Sequence, residues 1–339
     1  MWPWHQGAKH AHRGHRLSVS KLSRRAVLTG AVTATGVAVL GQRLLADDAS
    51  KARNVAGEDA RDTPQCGMNV NNSVHYAARR ATFGGVGVAR VFHPTLLPAR
   101  WTGAKDGLSD TKRAQISFKV PPARLAAGDY DAKIIAWLTS IPAGWTVWLT
   151  FWHEPGDELR AGRFTAAEYR AAWRRLSDLV RRQARLPDVD VYLAPVFGAY
   201  QVDTAGWADS WVPAPTEVDL LCWDMYGNPT GGPGLSSPYP DVQETVDTCL
   251  YVTERLGFTQ WGVSEFNAPR RVWDANESAR VRWLEEFRAY CWSPSRGVAP
   301  QLGSPLLFLL WEGEGTNWDQ TFKTAASIDW WTNVLAQSP

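Results

Sequence analysis

TVWLTFW, residues 146–152, runs straight into HEPGDE, residues 153–158. The first run is β-branched and aromatic apart from Leu149, the composition of a strand covered on both faces, and such strands belong to parallel sheets packed under helices. Polarity then changes at once, at His153 and Glu154. Seven other runs share the apolar character: CGMNV (66–70), VARVF (88–92), AQISFKV (114–120), VDVYLAPVF (189–197), VDLLCWDMY (218–226), QWGVSEF (260–266) and PLLFLLW (305–311).

Helical patterns fall between most of these runs. Thr165 and Glu168 form a capping box ahead of Tyr169, Trp173, Leu176 and Val180, which recur at three- and four-residue steps. Asp241 with Glu244 opens a second helix that carries Val246, Cys249, Leu250 and Thr253, and Leu284, Phe287 and Cys291 stripe a third. Eight strand–helix units in 275 residues predict an α/β protein, a (β/α)8 TIM barrel over residues 65–339. The alternative is a doubly wound open sheet, but no strand is followed by a GxGxxG or Walker-type loop.

The front of the chain has a different composition. Residues 1–46 hold seven of the 36 Lys and Arg, four of the seven His and no acidic residue. Ser23, Arg24 and Arg25 precede an uncharged run from Ala26 to Gly41, shorter than the roughly 20 apolar residues of a membrane span. A basic region before a short apolar one is the layout of an export signal, and this one resembles a twin-arginine signal. The expectation is a secreted or cell-envelope protein, with residues 47–64 as a linker; a basic tail or a retained anchor is the other reading.

Setting residues 1–46 aside leaves 29 basic against 34 acidic residues, a balance of about −5, which offers nothing to hold nucleic acid. Cys66, Cys222, Cys249 and Cys291 lie far apart with no CxxC pair, and only His75, His93 and His153 remain as imidazoles, so a zinc site is not expected. Export permits disulfides; a pair among the last three cysteines and buried thiols are both open. No metal or organic cofactor is called for, and a monomer is expected.

In a (β/α)8 barrel the site lies at the C-terminal ends of the strands, where polar residues read as chemistry. Glu154 ends the fourth predicted strand and Glu265 the seventh. Those ends face each other across a closed barrel, which can bring two carboxyls to roughly 5 Å, the separation of a retaining glycosidase. Such an enzyme needs one carboxyl protonated and one ionised. Glu154, hemmed by Trp152 and His153, is the expected acid/base, and Glu265 the nucleophile.

These motifs resemble a clan A glycoside hydrolase, and within the clan the family 26 β-mannanase group, over about residues 65–339. Most of the clan places asparagine before the acid/base; WHEP places His153 there, as the mannanase group does. VDLLCWDMYG resembles the family's sixth strand, which implies that Asp224 and Tyr226 line the sugar subsite, the tyrosine hydrogen-bonding the nucleophile. SEF resembles the seventh strand, and Trp311 in LLFLLWEGEG falls where a tryptophan floors the sugar at the cleavage point. The resemblance implies a polysaccharide or oligosaccharide substrate. Two features depart from it: Pro155 and Gly156 follow the His-Glu pair in place of Met-Asn-Gly, and LTFW precedes it without an arginine. Glucan, xylan or an envelope polysaccharide therefore stands beside mannan, and the Gly/Pro-rich loop at 227–240 is expected to shape the cleft.

Each candidate has a plainer alternative. Glu154 and Glu265 can be a structural ion pair or unrelated exposed carboxylates; His153 is a candidate to hydrogen-bond the substrate or a catalytic carboxylate, with a satisfied buried imidazole as the alternative; and Asp224 and Tyr226 can cap a strand and fill the barrel mouth. Of the nineteen tryptophans, Trp173 and Trp283 sit on helices and are read as packing, whereas Trp152 and Trp311, at strand ends, are candidates to touch a sugar. Arg90 and His93 end the second strand; Arg90 is a candidate to support Glu265 and His93 to touch a sugar, and a surface pair is the alternative. A non-catalytic carbohydrate-binding barrel would keep the tryptophans without needing two matched carboxylates.

Overall fold

The computed structural model describes residues 63–183, 186, 188–203, 207–228, 238–313 and 319–338. The expected signal region, the linker up to residue 62 and residues 229–237 of the Gly/Pro-rich loop lie outside them. Among the described residues nine parallel strands form one sheet: β1 (Gln65–Asn69), β2 (Val88–His93), β3 (Arg113–Phe118), β4 (Trp145–Phe151), β5 (Val189–Leu193), β6 (Val196–Gly198), β7 (Leu221–Tyr226), β8 (Trp261–Asn267) and β9 (Leu307–Leu310). Their order is β5-β4-β3-β2-β1-β9-β8-β7-β6, so the first strand pairs with both the second and the last.

The ends of that order meet in one stretch of chain. β5 pairs with β4 and β6 with β7, and only Ala194 and Pro195 separate them. Proline has no N–H for a ladder, so the fifth predicted strand splits in two at that point. Pairing still continues through the break: the Ala194 N–H donates to the Leu149 carbonyl at 3.0 Å and the Cys222 N–H to the Pro195 carbonyl at 2.9 Å. The sheet thereby closes as the expected (β/α)8 barrel, with the sixth, seventh and eighth predicted strands observed as β7, β8 and β9.

Period-2 alternation sorts each strand into an outer and an inner set. The outer set packs under the helices in a continuous core that includes Ile116, Phe151, Trp223, Phe266 and Phe308. Inside, Val88, Trp148, Tyr192, Val196, Cys222, Leu307 and Leu309 plug the lower barrel. One layer higher the interior turns polar: Gln115 Nε2 donates to Ser264 Oγ at 2.7 Å and Thr150 Oγ1 to the Ala194 carbonyl at 2.8 Å.

The helices are α1 (Ser73–Phe83), α2 (Pro122–Ala126), α3 (Asp131–Leu138), α4 (Gly156–Arg160), α5 (Ala166–Gln183), α6 (Trp207–Trp211), α7 (Val242–Arg255), α8 (Ser278–Trp292) and α9 (Ala325–Ala336). The capping box forms in both directions, Thr165 N–H to Glu168 Oε2 at 2.7 Å and Glu168 N–H to Thr165 Oγ1 at 3.1 Å. Asp241 caps α7 by accepting from the Glu244 N–H at 3.1 Å. Trp173 and Trp283 are buried beneath their helices. The four cysteines are buried as thiols, that of Cys249 donating to the Thr245 carbonyl at 3.8 Å. Among the described residues no helix is long and apolar enough to cross a membrane.

Candidate active site

The turn after β4 carries the first carboxyl under backbone strain. Trp152 and Glu154 both take positive φ, 46° and 49°, a region that costs a side-chain-bearing residue about 1–3 kcal/mol. Their N–H groups hold the turn from both sides: Trp152 donates to the Phe118 carbonyl at 2.8 Å, beside β3, and Glu154 to the Val196 carbonyl at 2.9 Å, in β6. The strained turn is therefore pinned across two neighbouring strands, which fixes the direction of the Glu154 side chain.

Glu265 arrives from β8, where a bulge shifts the register so that it lies beside Asp224 of β7. It is 6% exposed and doubly held. The Tyr226 hydroxyl donates to its Oε2 at 2.6 Å, and Arg90 Nη2 stands 3.4 Å from its Oε1. Arg90 is fully buried; it donates through Nη1 to Ser117 Oγ at 2.5 Å, and its guanidinium lies 4.1 Å from the centre of the Phe92 ring.

Burial, and for Glu154 the neighbouring Glu265 charge, separate the two carboxyls from ordinary ones. Burial, reinforced by the Glu265 charge, pushes Glu154 up to about 8, with Lys119 pulling the other way. Burial also raises Glu265, but there the Arg90 charge and the Tyr226 hydrogen bond favour the ionised form. Asp224, 1% exposed, is raised well above the usual carboxylate range by burial and then by Glu265 and Glu154. His153 is held neutral, its pKa lowered by burial and by the Lys119 and Arg90 charges.

Some buried polar atoms here have no partner among the described residues: both Asp224 carboxyl oxygens and His153 Nδ1. Buried groups of this kind are normally satisfied. A ligand rich in hydroxyls, entering at the C-terminal ends of the strands, would supply what they lack. Among the described residues no cluster of His, Cys, Asp and Glu is arranged to hold a metal.

Of the residues singled out in the sequence, Arg90, Glu265 and Tyr226 meet directly, and Asp224 adjoins Glu265 in the ladder. His153 and Trp311 are bridged by Phe92, whose ring centre lies 5.0 Å from the imidazole and 5.4 Å from the indole, both edge to face. Trp152 turns towards the helices, 4.8 Å from the Phe164 ring, with the Lys119 ammonium 5.7 Å from its own ring centre. His93 bonds through Nε2 to buried Asp106 at 2.7 Å, and Asp106 also accepts from Trp137 Nε1 at 3.1 Å. It is Phe92, rather than His93, that β2 turns towards His153 and Trp311. Phe92, Ser117 and Lys119 were not singled out, although the strands signal them: Arg90 and Phe92 in VARVF, and Gln115, Ser117 and Lys119 in AQISFKV, fall at two-residue steps on one face.

No protein-family profile matches the chain, and neither does any curated protein. Solved structures do match. The catalytic domain of the family 26 endo-β-1,4-mannanase from Bacillus sp. JAMB-750 superposes with a TM-score of 0.50 at 12% identity, over 82% of this chain and 86% of that one. That likeness shows the fold, an α/β barrel of parallel strands covered by helices. An endo-β-mannanase/endo-β-glucanase from Prevotella bryantii (TM-score 0.49, 12% identity, 84% of this chain) and a modular endo-β-1,4-mannanase from Cellulomonas fimi (0.43, 15%, 66%) are also similar. The chain spans about half of those two larger chains, 46% and 54%.

Proposed function

We propose that this chain is a retaining glycoside hydrolase that cleaves β-glycosidic bonds in a polysaccharide, in the manner of a β-mannanase. The observation that carries the reading is a pair of interacting carboxyls, one just beyond β4 and raised to about 8, the other in β8 and held by a cation and a phenol. Protonated Glu154 gives its proton to the glycosidic oxygen while a Glu265 oxygen attacks the anomeric carbon, and the carbon–oxygen bond to the leaving sugar breaks. Water then attacks the glycosyl-enzyme, Glu154 takes its proton, and the ester to Glu265 opens. Asp224 and His153 offer unpartnered polar atoms to the sugar hydroxyls, and Trp311 a ring. The twin-arginine-like pattern of the leader supports a location outside the cytoplasm, in the envelope or beyond, as part of this proposal.

The test is release of reducing ends by the purified protein from mannan, glucomannan, β-glucan, xylan and envelope glycans. Glu154→Ala and Glu265→Ala are measured in parallel. Activity on one glycan, lost in both variants, supports the mechanism and names the substrate; activity unchanged in Glu265→Ala overturns it. Binding without cleavage by the wild type favours a carbohydrate-binding barrel instead.

A further inference from the structure

Tyr200, just beyond β6, was not singled out by any strand-end argument, yet it lies beside Glu154. The residue is 52% exposed, one of the few large hydrophobic residues left open among the described residues. A Cβ built on Gly198 would lie 2.2 Å from Tyr200 Cε1 and 2.9 Å from Glu154 Oε1, so ring and carboxyl flank the same point and glycine alone leaves room for both. The ring is also clamped. Gln201, fully buried, donates through Nε2 to the Tyr200 hydroxyl at 3.2 Å and accepts through Oε1 from the Gly198 N–H at 3.2 Å. A Cβ on Gly156 would strike Gln201 Nε2 at 1.9 Å, so the glycine that follows HEP admits the clamp. The Arg160 guanidinium stands 5.9 Å from the ring centre.

Resting on the glycosidase reading, we infer that Tyr200 is the stacking platform for the departing sugar. In that reaction Glu154 protonates the leaving oxygen, so the sugar that departs must sit on the Glu154 side of the cleft. A half-exposed aromatic ring, held rigid beside Glu154 Oε1, presents the kind of face on which a pyranose packs. The ligand is an uncharged pyranose ring of the leaving oligosaccharide. Burial and the neighbouring Glu154 and Asp157 carboxylates keep the Tyr200 hydroxyl protonated, so it does not compete with Glu154 as a proton carrier.

The experiment separates leaving groups with and without a sugar. Wild type, Tyr200→Ala and Tyr200→Phe are assayed on mannohexaose, cellohexaose and xylohexaose, and on the 2,4-dinitrophenyl β-glycosides of mannobiose, cellobiose and xylobiose. The expected result is a fall of about tenfold in kcat/KM for the hexasaccharide in Tyr200→Ala, carried mainly by KM. The dinitrophenyl glycoside should change less than about twofold in the same variant, and Tyr200→Phe should retain most activity on both. An equal fall on both substrates would assign Tyr200 to the support of Glu154 and overturn the inference, as would no change on either. If Tyr200→Ala does not fold, Tyr200→Leu gives the same comparison. If wild type cleaves dinitrophenyl glycosides and the Tyr200 variants do not discriminate, the inference fails and the glycosidase reading stands; if wild type cleaves neither class, both fall.

Discussion

Glu265 is buried and Glu154 half-buried, and in the proposed mechanism their neighbours give them opposite work. Under the proposed mechanism Glu154 must hold a proton to act, so activity should fall as pH rises through about 8, the value to which burial and then Glu265 lift it. Lys119 favours the ionised form; Lys119→Met should therefore move the alkaline limb of the kcat/KM profile to higher pH, and an unmoved limb would dismiss Lys119 from the site's electrostatics. Arg90 favours ionised Glu265, so Arg90→Met should shift the acid limb upward and lower activity at neutral pH. Glu154→Ala should cost on the order of 10²–10⁴-fold on sugar leaving groups. It should cost far less on dinitrophenyl glycosides, which depart without a proton; equal losses on both would remove Glu154 from the acid/base role. Both carboxylates were legible because each ends an apolar run. Arg90 and Tyr226 were legible as candidates, but their shared grip on Glu265 depends on β2, β7 and β8 closing around it.

At the scale of elements, the loop that follows the Glu265 strand is tied down by one buried carboxylate. Glu277 precedes α8 and accepts from Arg280 Nη1 at 2.5 Å, Ser327 Oγ at 2.6 Å and both the N–H and hydroxyl of Thr324, the cap of α9. Arg280, fully buried, in turn bonds Asn267 at the end of β8. Glu277→Ala should leave that guanidinium without its charge partner and cost about 3–5 kcal/mol, read as a drop in the denaturant midpoint. A loss under about 1 kcal/mol would show the network to be ornamental. Only the Arg280 contact is local; Thr324 and Ser327 lie 47 and 50 residues away and carry no local pattern. The capping boxes and helix stripes were visible because they are local, set by three- and four-residue spacing. The split of the fifth strand at Pro195 was equally local, but was absorbed into one run because VDVYLAPVF stays apolar across it.

Across the whole molecule, two sets of carboxyls oppose each other in pH. Burial raises Glu154, Asp224 and Glu265 above their unfolded values. The folded state then holds more protons than the unfolded one as pH rises above about 4.5, and stability falls through that window, for Glu154 as far as about 8. Glu277 and Asp319 are shifted down, Asp319 to about 2, because hydrogen bonds and cationic neighbours outweigh their burial. Their contribution is present above the unfolded value and is lost as pH falls towards the folded one. The Tm should therefore peak on the mildly acidic side of neutral. Glu154→Gln should melt about 3 °C or more above wild type at pH 9 and close to it at pH 5. A variant no more stable at pH 9 would show that Glu154 carries no strain of charge in the folded protein.

Strand and helix periodicity, the alternation of eight units and the abrupt polar ends of two apolar runs were all present in the sequence, because each depends on residues within a turn or two of one another. They determined the barrel and nominated the carboxyls. Only the tertiary structure decided that Phe92 rather than His93 faces His153 and Trp311, that Lys119 influences both carboxyls, and that Tyr200 shares the glycine-made space beside Glu154. Those relations join strands far apart in the chain, and they follow from the direction each strand end takes once the sheet has closed.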